Sequence, residues 1–216
     1  MLCYSKQNIR KEDIAEVIDT LKSNFLTQGP KVEEFENAIC KYTGAKYAVA
    51  VSSGTAALHL ACIVAGLKEN TEAITSPITF LATSNSILYT KARPIFVDID
   101  PLQINIDVNE IKKTINHKTK AILPVHFAGL PCDMPLIYEV AKKNNLFVIE
   151  DACHALGAEY LFDNKWFKVG SCKHSDMCVF SFHPVKAITT AEGGVITTNN
   201  FSLYKKLKLL RSHGVS

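Results

Sequence analysis

The stretch Val179-Phe180-Ser181-Phe182-His183-Pro184-Val185-Lys186, continued by Ala187-Ile188-Thr189-Thr190-Ala191-Glu192-Gly193-Gly194, decides how the rest of the chain is read. A short apolar strand runs into a polar turn, and a Gly-Gly pair leads into a second apolar strand, Val195 to Thr198. Lys186 sits in that turn among small and hydroxylated residues. Partial removal from water disfavours an ammonium and favours the neutral amine, which attacks carbonyl carbons. A lysine placed this way has the chemistry to form a Schiff base. Taken alone, the stretch reads first as a solvated loop lysine, because lysines are mostly exposed.

Upstream, the chain alternates between strand and helix patterns. Ile14, Val17, Ile18 and Leu21 recur at the spacing of an amphipathic helix over 11–23. A second helix carries Val32, Phe35 and Ile39, opens at Pro30 and stops at Gly44. Strands are expected at Tyr47 to Val51, Ala73 to Ser76, Pro94 to Ile99, Ala121 to Val125 and Leu146 to Ile149. Helices are expected at Gly54 to Ala65, Phe80 to Leu88, Val108 to Ile115 and Met134 to Lys143, with a final helix at Leu203 to Arg211. This serial alternation predicts an α/β fold with a mainly parallel central sheet wrapped by helices. With no linker and no repeat, one domain covers 1–216: an N-terminal arm and helices to about 45, then an α/β core from about 46.

Composition narrows the classes. The 216 residues are 47% hydrophobic and 21% charged, ordinary for a globular protein. A net charge of +3 with no basic block does not favour nucleic acid. No apolar run reaches the length of a membrane span, and the start is not patterned as a signal peptide, so a cytoplasmic location is expected. The seven cysteines are scattered, several inside apolar segments (Cys40, Cys62, Cys178), which reads as free thiols. Cys153, His154, Cys172, His174 and Cys178 lack the tight Cys-x2-Cys spacing of a zinc knuckle, so no metal is expected.

In an open α/β sheet, ligands bind beyond the carboxyl ends of the strands, and three groups fall there. Ser52-Ser53-Gly54-Thr55-Ala56-Ala57-Leu58 presents backbone N–H groups and hydroxyls at a helix start, suited to a phosphate or to a plain helix cap. Glu150-Asp151-Ala152-Cys153-His154 follows an apolar strand. A carboxylate there needs a cationic or hydrogen-bonding partner, and a protonated pyridine nitrogen is one; a cap on the next turn is another. Ser181 and Lys186 form the third group. A phosphate cup, an acid for a ring nitrogen and an amine together point to pyridoxal 5'-phosphate (PLP). A nicotinamide-binding alternative lacks any Gly-x-Gly-x-x-Gly after the first strand.

Several motifs in order carry a family resemblance: Asn24-Phe25-Leu26-Thr27-Gln28-Gly29-Pro30, Ser53-Gly54-Thr55-Ala56-Ala57-Leu58, Pro77-Ile78-Thr79-Phe80-Leu81-Ala82-Thr83, His126-Phe127-Ala128-Gly129, Glu150-Asp151-Ala152-Cys153-His154-Ala155-Leu156-Gly157 and Ser181-Phe182-His183-Pro184-Val185-Lys186. The chain resembles the DegT/DnrJ/EryC1/StrS sugar aminotransferases, PLP-dependent enzymes of the aspartate aminotransferase fold (fold type I). The last two motifs are most similar to the branch that aminates C4 of a UDP-linked 4-keto-6-deoxy-N-acetylhexosamine in pseudaminic acid synthesis, for flagellar and surface glycans. The resemblance implies that Lys186 forms the Schiff base and shuttles protons, Asp151 pairs with the pyridine nitrogen, and His154, where many members have Gln, faces the phenolic oxygen. It implies that Phe80 stacks on the ring and that Gly54, Thr55 and Ser181 bind the phosphate. Thr27, Gly29 and His183 are implied on the substrate side, L-glutamate as amino donor, and a homodimer as the full-length form. It also implies a small C-terminal domain, which this chain does not include. The alternative is a catalytically silent remnant, or half of a split enzyme, that binds PLP and dimerises at most.

Overall fold

The computed structural model describes residues 5–215, so Cys3 and Ser216 lie outside the described residues. In chain order the elements are α1 (Lys11–Lys22), α2 (Pro30–Thr43), β1 (Tyr47–Val51), α3 (Gly54–Val64), β2 (Glu72–Thr75), α4 (Ala82–Tyr89), β3 (Arg93–Phe96), α5 (Val108–Thr114), β4 (Thr119–Leu123), α6 (Met134–Lys143), β5 (Phe147–Asp151), β6 (Glu159–Phe162), β7 (Lys165–Lys168), β8 (Met177–Ser181), β9 (Gly194–Thr198) and α7 (Phe201–Arg211).

Seven strands form one sheet in the order β1-β9-β8-β5-β4-β2-β3. The neighbours from β8 to β3 are parallel, as the strand–helix alternation predicts. β9 departs from it, running antiparallel to both β8 and β1. The reason is local: β8 and β9 are joined by the Lys186 turn rather than by a helix, and only an antiparallel neighbour can be reached without a crossover. Because β9 reverses, β1 and β8 point the same way on either side of it.

Alternation along the strands divides the core. Val49, Ile149, Val179 and Ile196 face α3, α4 and α7, packing with Leu58, Ile87 and Leu207. Ile74, Ile122 and Val148 face α5 and α6, with Ile111, Met134 and Ile137. Ala48, Cys178, Phe180 and Val195 pack with Ile39 of α2. β5 has four consecutive buried residues, Val148 to Asp151.

Some boundaries move. Gly44 ends α2 in the left-handed conformation (φ 84°), as the sequence suggests. β3 is shorter than Pro94 to Ile99, and α4 begins at Ala82 rather than Phe80. The hairpin β6–β7 has no counterpart in the alternation; it turns at Asp163-Asn164, both at positive φ (50° and 55°). The apolar stripe of α1 exists but is uncovered: Ile14, Val17, Ile18 and Leu21 are 42–65% exposed.

α7 closes the fold against α2 and β1 through a polar clamp. Glu36, buried on α2, accepts the Ala50 amide of β1 at 2.9 Å and pairs with the Arg211 guanidinium at the end of α7. Removing the cation leaves a buried carboxylate with one donor. Arg211→Met is expected to lower the unfolding free energy by about 2 kcal/mol, because an uncompensated buried charge costs more than the intact pair contributes. Glu36→Gln, whose amide oxygen still accepts from Ala50, is expected to cost less. Urea denaturation of the two variants against the parent checks the ranking.

Candidate active site

The strand order β1-β9-β8-β5 brings the carboxyl ends of β1, β8 and β5 to one edge. There the chain leaves each strand for a different purpose: into the N-terminus of α3 after β1, into the 152–158 turn after β5, and into the lysine turn after β8. Between them lies a cavity of about 470 Å³. It is lined by Ser53, Gly54 and Thr55 from the first exit, Asp151, Cys153 and His154 from the second, and Ser181, His183 and Lys186 from the third. Thr79 and Phe80, ahead of α4, and His126 and Phe127 complete the wall.

The N-terminus of α3 is set by backbone approach. A Cβ on Gly54 would stand 2.8 Å from Ser181 Cβ and 3.2 Å from both Ser181 Oγ and Cys153 Sγ, so only glycine lets the helix start touch the end of β8. A Cβ on Gly194 would lie 2.3 Å from the Ser53 carbonyl oxygen, which fixes the same contact from β9. Ser53 caps the helix, accepting the Ala56 amide at 3.1 Å. The cap and the anion site therefore coexist. Among the described residues neither the Gly54 nor the Thr55 amide makes a hydrogen bond, and Ser181 stands against Gly54.

Asp151 is 5% exposed, and each carboxylate oxygen has one protein donor. The Thr83 hydroxyl donates to Oδ2 at 2.6 Å and the Cys153 amide to Oδ1 at 3.2 Å. A carboxylate offers about four lone-pair sites, so it can take a further donor from the cavity. Neighbouring Glu150 points to the other face of the strand. There it accepts from the buried His126 Nε2 (2.8 Å) and the Ser175 hydroxyl. His126 Nδ1 accepts the Cys132 amide at 3.1 Å, which leaves Nε2 as the ring's donor.

Lys186 is half-buried and lines the cavity, so the solvated-loop alternative does not describe its position. His154 stands exposed on the wall; partial desolvation and the Lys186 ammonium hold its imidazole below the usual value, against the opposing Asp151 carboxylate. Burial, reinforced by Asp151, pushes the Cys153 thiol well up and keeps it protonated, which removes it as a nucleophile. Phe80 is 73% exposed, an aromatic face left open at the cavity mouth.

Two expected residues are elsewhere. Thr27 and Gly29 lie in the turn between α1 and α2 and do not line the cavity. Gly29 has a local reason to be glycine: its Cβ would fall 2.5 Å from Phe25 Cβ, and it is the N-cap ahead of Pro30. Sequence reasoning gave no role to His126, Thr79, Thr83 or Glu192. The motifs containing the first three were visible, but strand alternation and the i, i+4 spacing of Thr79 and Thr83 assign their partners only once the register is known. Cys172 and His174 are occupied away from the cavity, the first by Thr197 and the second by the Tyr160 hydroxyl at 2.8 Å.

The DegT/DnrJ/EryC1/StrS aminotransferase family profile matches residues 7–216. The chain belongs to this family. A Campylobacter jejuni UDP-4-amino-4,6-dideoxy-N-acetyl-beta-L-altrosamine transaminase is 46% identical over all of this chain and 56% of its own length. The Helicobacter pylori PseC structure, an aminotransferase involved in the biosynthesis of pseudoaminic acid, superposes with a TM-score of 0.89 at 38% identity, covering 98% of this chain and 56% of that one. The PLP-form of the putative sugar aminotransferase Spr1654 from Streptococcus pneumoniae gives 0.92 at 32% identity, covering 100% and 59%. The family member described here spans about half the length of the curated relatives it matches. Its α/β fold is the aminotransferase fold expected from the sequence.

The depressed His154 titration has a checkable cause. Lys186→Met removes the cation beside the imidazole and is expected to raise the His154 midpoint, while the parent titrates below a free histidine. Carbon-detected NMR titration of labelled histidines reads both values; an unchanged midpoint in the variant would show that the ammonium does not reach the ring.

Proposed function

We propose that this chain carries the PLP-binding site of a sugar-nucleotide aminotransferase. The reading rests on one observation: a lysine amine, a buried carboxylate with a free lone pair and an uncapped pair of helix-start amides converge on one cavity of ligand size. The fit follows from donor chemistry. The Gly54 and Thr55 amides, with the Ser181 hydroxyl, suit a phosphate. Asp151 suits a protonated pyridine nitrogen, and Phe80 offers an aromatic face for the ring. His154, held neutral, can hydrogen-bond a phenolic oxygen without adding charge.

When bound, PLP supplies an electron sink that stabilises negative charge at the carbon bearing the transferred amine. The chain's residues then do the rest. Asp151 keeps the ring nitrogen protonated. Lys186 Nζ would hold the cofactor and would move the proton, taking it from Cα of the amino donor in one half-reaction and delivering one to C4 of the sugar in the other. The donor we infer is L-glutamate, and the acceptor is the C4 ketone of a UDP-linked 4-keto-6-deoxy-N-acetylhexosamine made for surface or flagellar glycans. The likeness to the C. jejuni and H. pylori proteins supports that acceptor class. His183, exposed on the cavity wall, is the residue of the expected substrate set best placed to meet the sugar. A reaction on nucleotide sugars suits the cytoplasm, and no helix among the described residues is long and apolar enough to cross a membrane.

Phe80, at the cavity mouth, and Leu81, next to it in sequence, are 73% and 64% exposed. We infer that a second copy of the chain covers this face in a homodimer. The uncovered stripe on α1 favours a second reading as well: the 216 residues bind cofactor, and turnover needs the other half of the relatives' length.

Mixing the purified chain with PLP is expected to give a visible absorption band that borohydride converts into a covalent adduct on Lys186. Lys186→Ala is expected to lose both, and retention of either refutes the site. Turnover of glutamate and a UDP-4-keto sugar by this chain alone excludes the binding-only reading; turnover only after adding the C-terminal half of a relative supports it.

A further inference from the structure

We infer that Thr83 is the positioning residue for Asp151, and that a Thr79–Thr83 hydroxyl chain ties the Phe80 turn to that carboxylate. The inference rests on the proposed PLP site and goes beyond it to a residue that does not line the cavity. Thr83 is fully buried at the start of α4. Its hydroxyl lies 2.6 Å from Asp151 Oδ2, 2.7 Å from Thr79 Oγ1 and 3.2 Å from the Phe80 carbonyl oxygen. A hydroxyl has one proton to give, and the carboxylate is both the nearest and the strongest acceptor among the three. Thr83 therefore donates to Asp151, and Thr79 must donate to Thr83 to complete the contact.

The direction of this chain has a chemical consequence. A donor aimed at a carboxylate fixes its rotamer and the direction of its remaining lone pairs. Oδ1 is held by the Cys153 amide on the opposite side. Thr83 and Cys153 thus clamp Asp151 from two elements, with the remaining lone pairs free toward the cavity. Phe80 lies between Thr79 and Thr83 in sequence, so the hydroxyl chain spans the turn that presents the aromatic face. The ring-stacking group and the ring-nitrogen acid are mechanically one unit.

The test compares Thr83→Val, which removes the hydroxyl and keeps the shape, with Thr83→Ser, which keeps the hydroxyl and removes the methyl. In the cofactor-free chain, NMR is expected to show a slowly exchanging Thr83 hydroxyl proton that disappears in Asp151→Ala. With nitrogen-labelled PLP, the parent and Thr83→Ser are expected to show the same protonated ring-nitrogen shift. In Thr83→Val that shift is expected to move toward neutral pyridine, with PLP binding weakened about tenfold, the scale of one charge-assisted hydrogen bond. Equal ring-nitrogen shifts and equal PLP affinity in a folded Thr83→Val overturn the inference. So does Thr83→Ser behaving like Thr83→Val, because the effect would then follow packing. If the parent takes up no PLP, the proposed site falls, and a hydroxyl proton indifferent to Asp151→Ala removes the positioning role on its own.

Discussion

The site depends on one close approach: the start of α3 lying directly against the end of β8. Two glycines permit it, Gly54 against Ser181 and Gly194 against the Ser53 carbonyl, and at each position a methyl group would collide with neighbouring atoms. Without that contact the helix-start amides would stand farther from the Ser181 hydroxyl and the lysine turn. The reversal of β9 is part of the same constraint. β9 lies between β1 and β8 and carries Gly194 at its first residue, so the short connection that presents Lys186 also delivers the glycine that lets α3 in.

Strand β5 solves a second problem. Glu150 and Asp151 are adjacent acids at a buried strand end, and two neighbouring carboxylates in one low-dielectric pocket would oppose each other's ionisation. The two-residue period of the strand separates them. Glu150 turns to His126 and Ser175, which satisfy it without solvent, and Asp151 turns to the cavity, where Thr83 and the Cys153 amide leave part of its acceptor capacity open. The pleat thus divides the pair into one acid satisfied within the protein and one with acceptor capacity facing the cavity.

This explains which parts were legible before any coordinates. Lys186, Asp151, Gly54, Thr55 and Ser181 all sit where a strand has just ended, and an apolar run followed by a polar turn is a local signal. Their convergence needed only the rule that such ends share an edge. The hairpin β6–β7 escaped because its strands are mixed and mostly exposed, although the Asp163-Asn164 pair is a turn signal of the kind that tight hairpins use. Thr83 was hidden for the opposite reason. Within Ala82-Thr83-Ser84-Asn85-Ser86 it reads as one more small polar residue of a helix start, and only the arrival of β5 beside α4 makes it the donor to Asp151. Thr27 and Gly29, whose motif carries part of the resemblance, lie in a turn that packs against Phe25 and does not line the cavity.

The exposed faces follow from the same geometry. A cavity at a strand-end edge is closed below by the sheet and at the sides by the three exits, and among the described residues its mouth is open. The aromatic face of Phe80 lies at that mouth, with Leu81 beside it in sequence, and both are exposed. The α1 stripe adds a second uncovered surface on a separate element, held to α2 by the Lys31 pairing with Glu16 at 3.0 Å. Two such surfaces on one fold do not require one occupant. The Phe80 turn adjoins the cavity. The α1 stripe is built by a regular heptad-like spacing, which suits packing against another helix or sheet and has no chemistry of its own. On the proposed reading, cofactor binding and turnover are therefore separable: the groups proposed to hold the ring belong to the strand ends, whereas enclosing a substrate would depend on what covers the open side.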